Sequence, residues 1–153
     1  MLESPITVVK LDSLDLPGVW AIEQTLVGPW SQGQLEAELA LAHGWQLVAK
    51  GPTGEVWGYL FGTTVLDEAE IRKIAVGPDY RRQGIAACLL RTAWEHLALS
   101  HVTTCYLELR ASNLPALSLY RKNGCQIVGR RKNYYTLPTE DAILLHKVTT
   151  QVV

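Results

Sequence analysis

From Ile74 to Ala86 the chain reads Ile-Ala-Val-Gly-Pro-Asp-Tyr-Arg-Arg-Gln-Gly-Ile-Ala: a strand-like run, a basic turn, then the opening of a helical pattern. The chemistry open to such a turn is the holding of an anion. N–H groups at the start of a helix point at one spot, and the helix dipole adds partial positive charge there. Gly84 lets the backbone approach a phosphate with no side chain in the way, and Arg81 and Arg82 supply full charges beside it. A capped helix behind a solvated basic turn has the same spacing. The turn is not a Walker loop, because no Gly-Lys-Ser/Thr follows, and it lacks the three-glycine spacing of a dinucleotide turn.

Other residues carry functional groups in less decisive settings. In the run Thr103 to Arg110, alternation puts Cys105, Leu107 and Leu109 on one face and Tyr106, Glu108 and Arg110 on the other. Glu108 therefore projects away from the core, as a catalytic carboxylate or an ordinary strand carboxylate would. Tyr120 shares a helix face with Ala116 and Leu117, the usual setting of a core tyrosine whose hydroxyl is satisfied. Asn113 stands where a helix cap is expected. Trp30 follows Gly28-Pro29 in a loop, although tryptophan most often anchors a core, the role assigned to Trp20, Trp45, Trp57 and Trp94. Arg130-Arg131-Lys132 reads as a solvated strand end beside Tyr134 and Tyr135.

The elements that must position these groups follow from periodicity. Ile6 to Lys10 is a short strand, and Ser13 to Leu26 has helical spacing through Leu16, Val19, Trp20, Ile22 and Glu23. Gly28-Pro29 breaks the pattern, and Ser31 with Gln34 forms a capping box for a second helix expected to reach about His43. Trp45–Ala49, Val56–Leu66 and Glu70–Val76 read as an antiparallel meander, and Gly84 to Ser100 as a third helix with Ile85, Cys88, Leu89, Thr92, Ala93 and Leu97 on one stripe. The strand 103–110 precedes a fourth helix, with Pro115 in its first turn and Asn123-Gly124 as its stop. Gln126–Tyr135 and Asp141–Val148 close the fold as two strands. The class is mixed α/β (α+β), with both a meander and crossover connections.

Composition bounds the rest. The 153 residues are 48% hydrophobic and 19% charged, which suits one domain with a substantial core. Fourteen basic against fifteen acidic residues leave a net charge of -1, so no global field exists for gripping nucleic acid or an anionic membrane. No apolar run spans a bilayer, the start carries Glu3 and Pro5 in place of a signal-peptide pattern, and a cytoplasmic protein is expected. Cys88, Cys105 and Cys125 form no close pair, and His43, His96, His101 and His146 are scattered, so reduced thiols and no metal site are expected.

Arg81-x-x-Gly84-x-Ala86 resembles the Arg/Gln-x-x-Gly-x-Gly/Ala signature with which the GNAT superfamily of N-acetyltransferases holds the pyrophosphate of acetyl-CoA. Leu107-Glu108-Leu109-Arg110-Ala111-Ser112-Asn113, Leu119-Tyr120, Arg131-Lys132-Asn133-Tyr134-Tyr135 and Glu140-Asp141-Ala142 look like the RimI-type ribosomal-protein alanine N-acetyltransferases. The likeness runs from Ile22-Glu23-Gln24 through Pro29-Trp30-Ser31 to Leu145. It implies a GNAT fold over residues 1–153, with a mostly antiparallel sheet of six to seven strands and about four helices. Departures fall at Ala86, Ala87, Cys125 and Leu145.

The resemblance also implies roles. Acetyl-CoA would lie along Ile74, Ala75 and Val76 and on the turn Arg81, Arg82, Gln83, Gly84, Ile85, Ala86 and Ala87, with Asn113 bonding to it. Glu108 would be the general base and Tyr120 the general acid toward the CoA sulfur, with a backbone N–H near Val76 polarising the thioester carbonyl. Trp30, Tyr134 and Tyr135 would line the acceptor groove, and no metal would be required. The implied acceptor is a protein N-terminus, that of a ribosomal protein. An α-amine of pKa about 7.7–8.0 is roughly 10–15% neutral at pH 7 and a lysine only about 0.04%, so one carboxylate is adequate for the former. Two rivals stand beside this reading: an acetyltransferase of a small amine, for which an acid-rich pocket is expected, and a non-catalytic acyl-CoA-binding module, for which Glu108 and Tyr120 have no use.

Overall fold

The computed structural model describes residues 6–149. Seven strands and four α-helices alternate along the chain: β1 (Thr7–Lys10), α1 (Leu16–Glu23), α2 (Gln32–Leu39), β2 (Gly44–Lys50), β3 (Val56–Val65), β4 (Glu68–Val76), α3 (Ile85–Leu99), β5 (Thr104–Arg110), α4 (Leu114–Lys122), β6 (Gln126–Tyr135) and β7 (Glu140–Val148). The strands form one sheet in the order β1-β2-β3-β4-β5-β7-β6. β1 with β2, β2 with β3, β5 with β7 and β6 with β7 pair antiparallel. β4 and β5 pair parallel, from Glu68 with Thr104 to Glu70 with Tyr106. A parallel neighbour needs a crossover. Here α3 supplies it.

The chain divides into two compact units: the chain up to Thr63 with Arg72–Ala93, and Thr64–Ile71 with the chain from Trp94 on. In the first unit Leu11, Val19, Ile22, Leu35, Val48, Tyr59, Phe61 and Ala75 form a buried cluster, with Leu16, Trp20, Trp30 and Val56 packed against it. In the second, Val102, Cys105, Leu107, Leu109, Tyr120, Cys125, Ala142 and Leu145 are buried. The alternation expected for β5 holds: Cys105, Leu107 and Leu109 are buried, while Tyr106 is exposed and Glu108 and Arg110 are half-buried.

The expected helix starts are made by the expected groups. Ser31 Oγ accepts the Gln34 N–H at 3.1 Å and Gln34 Oε1 accepts the Ser31 N–H at 2.7 Å, which closes the capping box of α2. Asn113 caps α4, and Gly124 has φ +90° just beyond its end. Two helix ends differ from expectation. Thr25 and Leu26 bond back three residues, to the carbonyls of Ile22 and Glu23, so α1 tightens and stops before Leu26. α2 stops at Leu39 and not near His43, because the chain turns at Leu41, whose carbonyl accepts the Gly44 N–H, and Gly44 already begins β2.

Candidate active site

In the first unit, the basic turn is fixed by its neighbours before it can meet a ligand. The Gly77 N–H donates to the Trp57 carbonyl at 2.8 Å, and Tyr80, in a single 3-10 turn, stacks on the Trp57 ring with centroids 4.9 Å apart. Trp57 is thus the packing residue the sequence implied, and it also seats the turn. Arg81 Nε donates to the Val76 carbonyl at 3.3 Å. At Gly58 an added Cβ would lie 2.9 Å from the Ala75 carbonyl oxygen and 3.1 Å from Ile85 Cγ2. Only glycine allows β3, β4 and the start of α3 to approach so closely.

Arg82 (φ 64°) and Gly84 (φ 77°) both take left-handed backbone conformations. Arg82, a non-glycine residue held there, carries strain of the kind that surrounding structure must enforce. A Cβ built on Gly84 would meet nothing within 4 Å, so the turn opens outward at that point. α3 then begins at buried Ile85, and its leading N–H groups lack intrahelical acceptors as at any helix start. Arg81, Arg82, Gln83 and Gly84 are exposed, and Ala86 and Ala87 half-buried. Exposed guanidinium groups, open backbone and a helix N-terminus converge on one turn, and this donor set fits a diphosphate.

The same unit contains a constellation that sequence reasoning missed. Glu23 is fully buried. Its Oε1 accepts the Trp30 N–H at 2.7 Å and the Lys73 ammonium at 3.0 Å, and its Oε2 accepts the Tyr59 hydroxyl. Lys73 Nζ also lies 4.7 Å from the centroid of the Trp30 ring, which meets Phe61 nearly at right angles. Burial, then the bond and charge of Glu23, push the Tyr59 hydroxyl far above its ordinary value, so it remains a donor. The one sequence signal was an acidic residue on the apolar face of α1, beside Val19 and Ile22.

In the second unit, Glu108 is joined to the tyrosine pair. The Tyr134 hydroxyl donates to the Glu108 carboxylate, whose negative charge, with that bond, raises the Tyr134 pKa. Burial and then Glu108 push Tyr135 up to about 12. The two rings meet edge to face at 5.2 Å, Arg110 lies over Tyr135 at 4.6 Å and Arg131 over Tyr134 at 5.4 Å. Arg110 also donates to Glu140, whose other oxygen accepts the Ser112 N–H at 2.9 Å. Of the basic run read as a solvated strand end, Arg131 therefore packs on a tyrosine, and Arg130 Nε donates to Asp141 at 2.7 Å.

Tyr120 is buried on α4, and burial, with Cys125 and Tyr135 nearby, raises its pKa well above the ordinary phenol. It is therefore protonated at neutral pH. Asn113 Oδ1 accepts the Ala116 N–H at 3.2 Å, which occupies its oxygen as a helix cap. The residues expected at the site thus fall into two groups. Ile74 to Ala87 form one continuous strand and turn, with Trp30 tied to Lys73 of the same strand. Glu108 acts on both Tyr134 and Tyr135, and Tyr135 in turn lies near Tyr120. Among the described residues no three His, Cys, Asp or Glu side chains converge, and no helix is long and apolar enough to cross a membrane.

Comparison with known proteins gives this geometry a context. The acetyltransferase (GNAT) family model matches residues 10–125. The chain is 36% identical over 143 residues to the [ribosomal protein bS18]-alanine N-acetyltransferase of Escherichia coli K12, covering 91% of this chain and 95% of that one. It is 35% identical over 150 residues to the N-alpha-acetyltransferase RimI of Mycobacterium tuberculosis, covering 94% and 92%. The crystal structure of the Escherichia coli ribosomal-protein-S18-alanine N-acetyltransferase superposes with a TM-score of 0.89 at 33% identity, over 97% of this chain and 96% of that one.

Proposed function

The chain belongs to the acetyltransferase (GNAT) family and is an N-acetyltransferase, and from that premise we propose that it transfers the acetyl group of acetyl-CoA to the N-terminal α-amine of a protein, the alanine of a small-subunit ribosomal protein. The observation that carries the reading is the pairing, in one sequence, of the diphosphate-fitting turn at Arg81–Ala87 with a strand carboxylate that accepts a tyrosine hydroxyl. Of the relatives at 35–36% identity over more than nine-tenths of this chain, one is named a [ribosomal protein bS18]-alanine N-acetyltransferase and the other an N-alpha-acetyltransferase, which supports the reading.

In this reading the turn holds the diphosphate through the backbone of Gln83 to Ala87 and through Arg81 and Arg82. The register of β4 with β5 stops at Glu70, which supports assigning the backbone of Ile74, Ala75 and Val76 to the cofactor arm. The acceptor nitrogen attacks the thioester carbonyl, the C–N bond forms and the C–S bond breaks. Glu108 takes the proton lost by the nitrogen, directly or through a water, and Tyr120 gives one to the sulfur. A thiol leaving group of pKa about 8.5 is only modestly basic, so the donor completes the step more than it drives it. The buried, protonated state of Tyr120 supports that role. Trp30, Tyr134 and Tyr135 line the acceptor path, and Asn113 keeps its amide N–H groups for the cofactor. Mass spectrometry of peptides, lysine derivatives and polyamines incubated with acetyl-CoA tests the assignment by the nitrogen that gains the acetyl group.

A further inference from the structure

We propose that Glu23 is a positioning residue for the acceptor: its buried carboxylate, with Lys73 and Tyr59, locks Trp30 in the loop between α1 and α2 so that the indole presents a fixed wall to the incoming N-terminus. The inference rests on the reading of Trp30 as an acceptor-site residue. A carboxylate with no exposed surface is costly unless charge and hydrogen bonds compensate it, and a core of this size needs no such group for packing alone. Three donors compensate the carboxylate that α1 supplies: the Tyr59 hydroxyl from β3, the Lys73 ammonium from β4 and the Trp30 N–H from the loop.

Two of the three donors act on one loop residue. The Trp30 N–H donates to Oε1 at 2.7 Å, which fixes the backbone. Lys73, held on that same oxygen at 3.0 Å, stands 4.7 Å from the Trp30 ring centroid, which fixes the indole by a cation–π contact. Phe61 backs the ring at 5.5 Å. Loss of the carboxylate would free Trp30 at both its backbone and its ring, while leaving the turn at Arg81–Ala87 and the pair Glu108–Tyr134 in place.

The experiment compares wild type, Glu23→Met, Lys73→Met and Lys73→Arg, using a peptide beginning with alanine, acetyl-CoA and amide hydrogen exchange; methionine fills the carboxylate's space with no acceptor for the Trp30 N–H, which a glutamine oxygen would still offer. In Glu23→Met and Lys73→Met the acceptor KM should rise about tenfold or more, while the acetyl-CoA KM and kcat stay within about twofold, the pattern of lost ground-state placement. Lys73→Arg, which retains the charge and the ring contact, should restore most of the acceptor KM. The Trp30 amide should exchange about tenfold or more faster in Glu23→Met, with the Val19 and Phe61 amides unmoved. An acceptor KM that does not change, or a fall in kcat alone that tracks the folded fraction, overturns the proposal. If wild type acetylates no peptide, the functional reading fails; an unchanged Trp30 amide in Glu23→Met fails the network by itself. If Glu23→Met does not fold, the acceptor KM of Lys73→Met against that of Lys73→Arg carries the test.

Discussion

At Glu108 the chemistry and the local structure meet in one side chain. Its carboxylate accepts the Tyr134 hydroxyl and raises the pKa of both tyrosines beside it. Replacing Glu108 by Gln should lower kcat within roughly the 10²–10⁴ range of general acid–base groups at saturating acetyl-CoA, and Tyr120→Phe, which removes a donor to an already good leaving group, should lower it by less. Wild-type rates would refute the assignments. The Glu108 change should also move the Tyr134 titration down toward the ordinary phenol, read by NMR of its ring carbons, because the charge that raises it is gone. Glu108 was legible in the sequence since period-two alternation alone turns it off the core face. Glu23 and Lys73 were not legible as a pair. They are neighbours only through the fold, fifty positions apart, and nothing in the pattern of β4 marks Lys73 as facing inward.

At the scale of the element, the turn from β4 into α3 depends on backbone conformation more than on space. Gly84 has φ 77° with nothing near its would-be Cβ. Gly84→Asn, which tolerates left-handed backbone, should therefore weaken coenzyme A binding less than Gly84→Val, by about tenfold if the left-handed cost of about 1–2 kcal/mol is felt in the bound turn. Isothermal calorimetry of both variants checks the order. Equal affinities would mean that the turn does not hold its conformation when bound. At α2, Ser31→Ala breaks the capping box and should cost about 1 kcal/mol, measured as a lower urea midpoint at unchanged slope. Capping and turn residues were readable in advance because each acts on backbone groups within three or four positions. The ends of α1 and α2 were not, because Leu26 and Leu41 are decided by where the chain must turn toward Trp30 and β2.

Over the whole molecule, buried thiols tie stability to pH. Burial raises Cys105 to about 12 and Cys125 to about 11, from an ordinary 9.0. Above about pH 9 the unfolded chain releases these protons while the folded chain keeps them, so fewer protons are bound unfolded and stability falls as pH rises. It is fully present below that pH. Urea midpoints should drop between pH 8.5 and 10.5, and less so in Cys105→Ala; a flat profile would contradict the burial of both thiols. The succession of strands and helices was legible from the alternation of meander and helix, and the class followed; the placing of β7 between β5 and β6 in the sheet was not. The division into two compact units was not, since it cuts β4 and α3 within continuous periodic runs.

The central claim is that the basic turn delivers an acetyl group to a protein α-amine. Purified protein given acetyl-CoA and a peptide that begins with alanine and contains an internal lysine should yield one acetylated product. The added mass should lie on the terminal nitrogen by fragment-ion mass spectrometry, and an N-terminally blocked form of the peptide should give no product. Acetyl on the lysine side chain alone, or equal labelling of the blocked peptide, would contradict the account.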